Sequence, residues 1–138
     1  MIKLKNLIES KKVEWISSYF SGNLKKQAEK VESLMYDWWW QSRSDKLKEA
    51  IKILKKYPEL RKQSIKNLIA TKGKPNKVWQ HVAPDDNGGI SYTIYKSVAD
   101  RFADESGGDV NDYSIGLRDI FYYTGNSEGE IFLNWDIK

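Results

Sequence analysis

The sequence predicts an α+β protein in which a basic helical unit, residues 1–75, precedes a small, mainly antiparallel α+β sheet unit, residues 76–138. Three observations predict it. Apolar spacing is helical through the first stretch and turns to β-type alternation in the second. Charge divides at the same place: residues 1–75 hold 18 Lys and Arg against 8 Asp and Glu, and residues 76–138 hold 5 against 11. Lys72, Gly73 and Pro75 punctuate the boundary with helix-stop residues. The formal net charge of +4 therefore combines a basic half with an acidic one. The two units are expected to pack as one compact domain.

Composition narrows the function classes. With 40% hydrophobic and 13% aromatic residues in 138, the chain has enough apolar surface for a packed core and is not of the disordered class. The absence of cysteine excludes a disulfide framework, a thiolate metal site and a cysteine nucleophile. No apolar run approaches the ~20 residues of a membrane span, and no signal-peptide core follows Met1. A soluble, cytoplasmic protein with no membrane partner is expected.

In the basic half, Leu4, Leu7, Ile8, Trp15 and Ile16 suggest a first helix, broken by Ser21-Gly22-Asn23. Leu24, Ala28, Val31, Met35 and Trp38 or Trp39 suggest a second. Ser44 suits the N-cap of a third, with Asp45 in its first turn and Leu47, Ala50, Ile51 and Leu54 on one face. Pro58 suits the first turn of a fourth, which carries Leu60, Ile65, Leu68 and Ile69.

Two features of this half bear on function. Lysines crowd the third helix, with Lys52, Lys55 and Lys56 close together. Such a surface suits phosphates of a nucleic acid or an acidic protein partner, and it is equally the ordinary solvated face of a helix. Trp38, Trp39 and Trp40 are consecutive, and each helical step turns ~100°. One face cannot bury all three, so at least one is expected at an interface, either between the units or with a partner.

In the acidic half, Lys77 to Ala83 reads as a strand and Pro84 to Gly89 as a turn. Ile90 to Tyr95 alternates as a second strand. Lys96 to Ala103 reverts to helical spacing, with Val98, Ala99 and Phe102 on one side. A loop over Glu105 to Gly108, a partly extended Ile115 to Tyr123 and a closing strand from Glu128 to Trp135 complete it. Glu128 and Glu130 are two apart on this closing strand, so both carboxylates are expected to point to one face and repel unless something uses them. Ser91 and Thr93 form a second same-face pair. On neighbouring strands, such hydroxyls orient a carboxylate that can stabilise a sugar oxocarbenium or bind a ribose hydroxyl. His81 is the one histidine, without a Ser/Asp triad pattern, and no Gly-rich phosphate loop or metal spacing is present.

Ser91-Tyr92-Thr93 followed by Lys96-Ser97-Val98-Ala99-Asp100-Arg101-Phe102-Ala103 resembles the Ser-x-[Ser/Thr] strand and helix of mono-ADP-ribosyltransferases. Leu117 to Phe121 followed by Ser127 to Leu133 looks like that family's terminal Glu-x-Glu strand. The resemblance covers roughly residues 77–135. It implies an ADP-ribosyltransferase-like sheet, NAD as substrate, and transfer of ADP-ribose to a protein arginine. It further implies that Glu130 binds the nicotinamide ribose, Glu128 positions the acceptor guanidinium, Ser91 holds Glu130 and Thr93 supports the strand. Tyr92 or Phe102 would line the nicotinamide pocket. Phage-encoded arginine-modifying enzymes and related toxins share the layout, which implies a host-takeover or anti-defence role.

Gln80 stands where the family has the arginine that grips the NAD phosphates, and it offers no charged fork. Arg43, Arg101 and Lys77 are the substitutes at hand. His81 resembles the histidine that replaces this arginine in the diphtheria-toxin-like branch. Three readings stay open on the sequence. One is an NAD-dependent transferase. Another is a non-enzymatic binding or inhibitor protein, docking through basic helices and exposed tryptophan. The third is a nucleic-acid-binding protein proper.

Overall fold

The computed structural model describes residues 16–41, 44–84 and 91–137, with residues 39–41 by their backbone alone. The expected first helix lies largely outside these residues, as do Arg43 and most of the turn after Pro84. The chain divides into two compact units, Met1–Asn67 and Leu68–Lys138.

In the first unit, a 3-10 turn at Ile16–Tyr19 leads into α1 (Gly22–Gln41), α2 (Ser44–Lys56) and α3 (Pro58–Lys72), the last of which runs on past Asn67. Ala28, Val31, Leu34 and Met35 on α1 and Leu47, Ala50 and Leu54 on α2 are buried. Their three- and four-residue spacing lays one apolar stripe along each helix, and the two helices pack together. Lys30 reaches Glu49 across them at 3.4 Å. The Ser17 amide donates to the Glu32 carboxylate at 3.2 Å, and burial pushes that carboxyl above its ordinary pKa. Trp38 is half-buried, and the side chains of Trp39 and Trp40 lie outside the described residues.

The second unit is a five-stranded antiparallel sheet in the order β3-β1-β2-β5-β4, with one further helix. Its strands are β1 (Lys77–Val82), β2 (Ser91–Thr93), β3 (Asp109–Ser114), β4 (Ile120–Tyr123) and β5 (Glu130–Leu133). The helix α4 (Lys96–Ser106) follows β2 and packs on β1, β2 and β3. Val78, Ile120, Phe121, Tyr122, Tyr123, Ile131, Phe132 and Leu133 are buried and form most of its core. Every residue of β4 and β5 is buried, which explains the apolar runs Ile120–Tyr123 and Ile131–Leu133. The α+β class and the helices-then-sheet order agree with the sequence.

Two expectations need correction. One extended stretch was expected between α4 and the closing strand, but two strands stand there. β3 is an edge strand, its polar Asp-Val-Asn-Asp-Tyr-Ser sequence mostly exposed, so no apolar alternation announced it. The closing strand is also shorter than Glu128 to Trp135. It begins at Glu130, because Gly129 takes a left-handed φ of +61°, and it ends in a 3-10 turn at Asn134–Asp136.

Candidate functional site

The register assigns each strand residue to a face. Trp79 stands opposite Thr93, and Thr93 opposite Glu130. Directly opposed residues in antiparallel strands point the same way. One face therefore carries Trp79, His81, Ser91, Thr93, Glu130 and Phe132. The other carries Val78, Gln80, Tyr92, Ile131 and Leu133. β2 lies between β1 and β5, so the serine strand and the glutamate strand are direct neighbours.

Glu130 is the centre of the first face. It is only 7% exposed, and the Ser91 side chain on the neighbouring β2 is close enough to act on its carboxylate. Asn126 donates from Nδ2 to Glu130 Oε1 at 3.3 Å. Burial pushes the Glu130 carboxyl up to about 7, the charge of Glu128 adds to the rise, and the Ser91 and Asn126 side chains oppose it. A carboxyl so placed changes charge near neutral pH, where it can either donate or accept a hydrogen bond.

The turn before β5 is built around Asn126 and Thr93. Asn126 Oδ1 accepts from the Glu128 amide and from the Glu130 amide, each at 3.1 Å. Thr93 Oγ1 donates to the Glu128 carbonyl at 2.6 Å and accepts from the Tyr95 amide at 3.0 Å. Thr93 thus ties β2 to the glutamate turn with its side chain. A Cβ on Gly129 would come within 2.7 Å of Ile94 Cγ1 and 2.8 Å of Tyr95 Cε2, so glycine is what this close turn admits.

Glu128 does not share a strand with Glu130. It lies in the turn, and its carboxylate reaches Arg101 Nη2 on α4 at 3.2 Å. The expectation of two carboxylates aligned by strand alternation is corrected. What keeps them close is the turn, close enough that the charge of Glu128 acts on Glu130.

His81 and Phe102 lie together beside this cluster, their rings stacked at 6.1 Å between centroids and 20° between planes. The His81 Nε2–H donates to the Gly107 carbonyl at 2.7 Å, which fixes the ring against the end of α4. This contact gives the histidine a structural duty.

Gln80 and Tyr92 are on the opposite face from Glu130. This corrects their expected place beside the same ligand, and the physical reason is the two-residue period of the strands. Gln80 is buried there. Tyr92 donates to Asp136 Oδ2 at 2.6 Å, accepts from Trp135 Nε1 at 3.3 Å and meets Tyr113 edge-on. Burial and the adjacent Asp136 carboxylate push the Tyr92 hydroxyl up to about 12. Of the cations considered as substitutes for the arginine that the resemblance implies, Lys77 is engaged with Asp112 at 2.9 Å. Arg101 is the cation beside the site.

Asn126 is the site residue that sequence reasoning missed. The signal was present in the Thr-Gly-Asn-Ser run over 124–127, a turn composition whose asparagine can cap backbone amides two and four residues on. Among the described residues, no group of three or more acidic or histidine side chains is placed to hold a metal ion. No helix among them is long and apolar enough to cross a membrane. Compared with protein-family models, curated proteins and solved structures, the chain matches none.

Proposed function

We propose that the chain is an ADP-ribosyltransferase-like protein that takes NAD and an arginine acceptor, with Glu130 at the centre of the chemistry. The observation that carries this reading is that β2 and β5 are neighbours and bring Ser91 and the buried Glu130 to one face, with the second carboxylate of Glu128 near enough to act on Glu130. The resemblance drawn from the sequence needs these three residues in one place.

In the reaction, the bond between nicotinamide nitrogen and ribose C1 breaks, and its electron pair leaves with the nicotinamide. Positive charge develops on the ribose. In this reading the ionised Glu130 carboxylate accepts from a ribose hydroxyl and stabilises that charge. Ser91 and Asn126 hold the carboxylate in one orientation, so little reorganisation is needed as charge develops. A guanidine nitrogen of the acceptor then bonds to C1 and loses a proton to solvent. The fit is on the ribose side: Gln80, uncharged and on the far face, is given no part in gripping the phosphates.

The test is incubation with NAD labelled in its adenylate half and poly-arginine as acceptor, at pH 8. Equal release of nicotinamide and incorporation of label by wild type, both lost in Glu130→Gln, is the expected result. Wild type that yields neither nicotinamide nor labelled acceptor overturns the reading.

A second reading has its own observation. Lys52, Lys55 and Lys56 are all exposed on α2, whose opposite side buries Leu47, Ala50 and Leu54. That is a basic surface suited to a nucleic acid or an acidic protein, and it would serve a non-enzymatic binding or inhibitor protein.

A further inference from the structure

Two helix ends meet in the first unit, and both are basic. The Asn23 side chain donates from Nδ2 to the Tyr57 hydroxyl at 3.4 Å, which sets the start of α1 beside the end of α2. Lys56 lies over the same Tyr57 ring, 5.6 Å from its centre. The meeting gathers Lys25 and Lys26 of α1 with Lys52, Lys55 and Lys56 of α2, all exposed. The acids within four residues of them are Glu29, Glu49 and Glu59, and Glu49 is engaged by Lys30 at 3.4 Å. Elsewhere the chain pairs Lys77 with Asp112 and Lys96 with Asp100. Among the described residues, no acidic side chain pairs with Lys25, Lys26, Lys52 or Lys56. The first turn of α1 also lacks an acid, so the positive end of its dipole adds to the field of these lysines.

We infer that this composite end, built from α1 and α2 together, binds the phosphate backbone of a nucleic acid duplex without reading its sequence. Of the two partners in the binding reading above, on which this rests, phosphate fits better. All five gathered cations are lysines. An ammonium is a compact, strongly hydrated point charge that suits wet phosphate contacts, whereas protein interfaces deplete lysine in favour of arginine and aromatic rings. Lys52 to Lys56 rises about 6 Å along α2, and a duplex carries a charge every ~1.7 Å of its axis, so each lysine has a phosphate within reach.

The experiment measures binding of the full chain to short fluorescent DNA duplexes of two unrelated sequences, by anisotropy from 50 to 200 mM salt. With five phosphates neutralised, log affinity should fall against log salt with a slope of about −4.5, roughly 500-fold over that range, alike for both sequences. Lys25→Glu combined with Lys26→Glu should flatten the slope by about 2. These two changes put acids near the start of α1, where the dipole favours them, so thermal stability should hold or rise and a binding loss is not a folding loss. Lys96→Gln, in the other unit, should leave the slope as it is. A slope unmoved by the α1 pair but flattened by reversal of Lys52, Lys55 and Lys56 overturns the composite surface and leaves the α2 reading standing. Wild type that binds no duplex at 50 mM salt overturns the inference outright. Poly-glutamate that displaces the duplex at equal charge concentration overturns it in favour of an acidic protein partner.

Discussion

Asn126 grips Glu130 at two points. Its Oδ1 accepts the Glu130 amide at 3.1 Å, and its Nδ2 donates to the Glu130 carboxylate at 3.3 Å. One side chain thus fixes the start of β5 and aims the carboxyl of its first residue.

Replacing Asn126 with alanine leaves the Glu128 and Glu130 amides without that acceptor and the carboxylate without one of its donors. Orphaned groups in a part-buried turn cost about 1–3 kcal/mol. Asn126→Ala should therefore unfold at lower urea by that amount, and the Glu130 pKa should rise further, because a hydrogen bond favouring the ionised form is gone. Urea titrations and carboxyl NMR of the two proteins check both parts. A Glu130 pKa that falls in the variant contradicts the assignment.

Glu130 also makes stability depend on pH. Burial raises its pKa from an ordinary 4.5 to about 7, so between those values the folded protein holds a proton that the unfolded chain releases. Stability from this group is fully present below pH 4.5, declines as pH rises through the window, and is level above it. At 1.36 kcal/mol per tenfold, the loss is about 3 kcal/mol. Glu128 repels the ionised form, and Arg101 stands across from Glu128, so neither removes the effect. Glu130→Gln, neutral at every pH, should flatten the curve between pH 4.5 and 7 and exceed wild type above it. Urea midpoints across pH 4.5–8 measure the difference.

Much of this arrangement is legible in the sequence. The periodicity of Leu47, Ala50 and Leu54 located α2, and the alternation around Tyr92 located β2, because burial of one face dictates both patterns. The nearness of Ser91 to Glu130 was legible only on the condition that their strands are neighbours, and β2 does lie beside β5. Three things were not legible for physical reasons. β3 is polar because it is an edge strand. Gln80 was matched by position along the chain, and only the register reveals which way it points. The two glutamates looked like a strand pair because alternation was extended through Gly129, whose left-handed φ ends the strand.

That glycine supplies a sharp comparison. Both Gly129 and Gly22 have positive φ, +61° and +60°. A Cβ at Gly22 meets nothing within 4 Å, whereas one at Gly129 would collide with Ile94 and Tyr95. Gly22→Ala should cost about 1–2 kcal/mol, the backbone penalty alone. Gly129→Ala should cost about 1–3 kcal/mol more for the forced contacts. It should also displace Glu128 and Glu130 from each other. Thermal or urea unfolding of the pair tests the ranking, and equal losses would mean that the turn has room to adjust.

The two faces of β2 give a test that separates stability from chemistry. Tyr92→Phe removes the hydroxyl that joins Asp136 and Trp135, so it should cost about 1–2 kcal/mol while leaving nicotinamide release unchanged under folding conditions. Ser91→Ala, one residue away on the Glu130 face, should raise the Glu130 pKa and, if the transferase reading holds, slow nicotinamide release about tenfold. Comparing both rates with wild type at pH 7.5 tests whether the Glu130 face carries the proposed reaction. A Tyr92→Phe protein that is folded but slow would place the chemistry on the wrong side of the sheet.

The basic surface of α2 predicts a salt signature. Lys48, Lys52 and Lys55 follow helical spacing and are exposed, and Lys56, also exposed, lies 5.6 Å from the Tyr57 ring centre. On duplex DNA, each neutralised phosphate contributes about −0.9 to the slope of log affinity against log salt. If Lys52, Lys55 and Lys56 each meet a phosphate, replacing all three with glutamate should flatten the slope by about 3 and weaken binding equally for unrelated sequences. The apolar stripe on the far side of the helix is untouched, so the fold should persist, and circular dichroism verifies that. Affinity measured from 50 to 200 mM salt gives the answer. A slope unchanged in the triple variant excludes this surface as the one that meets nucleic acid.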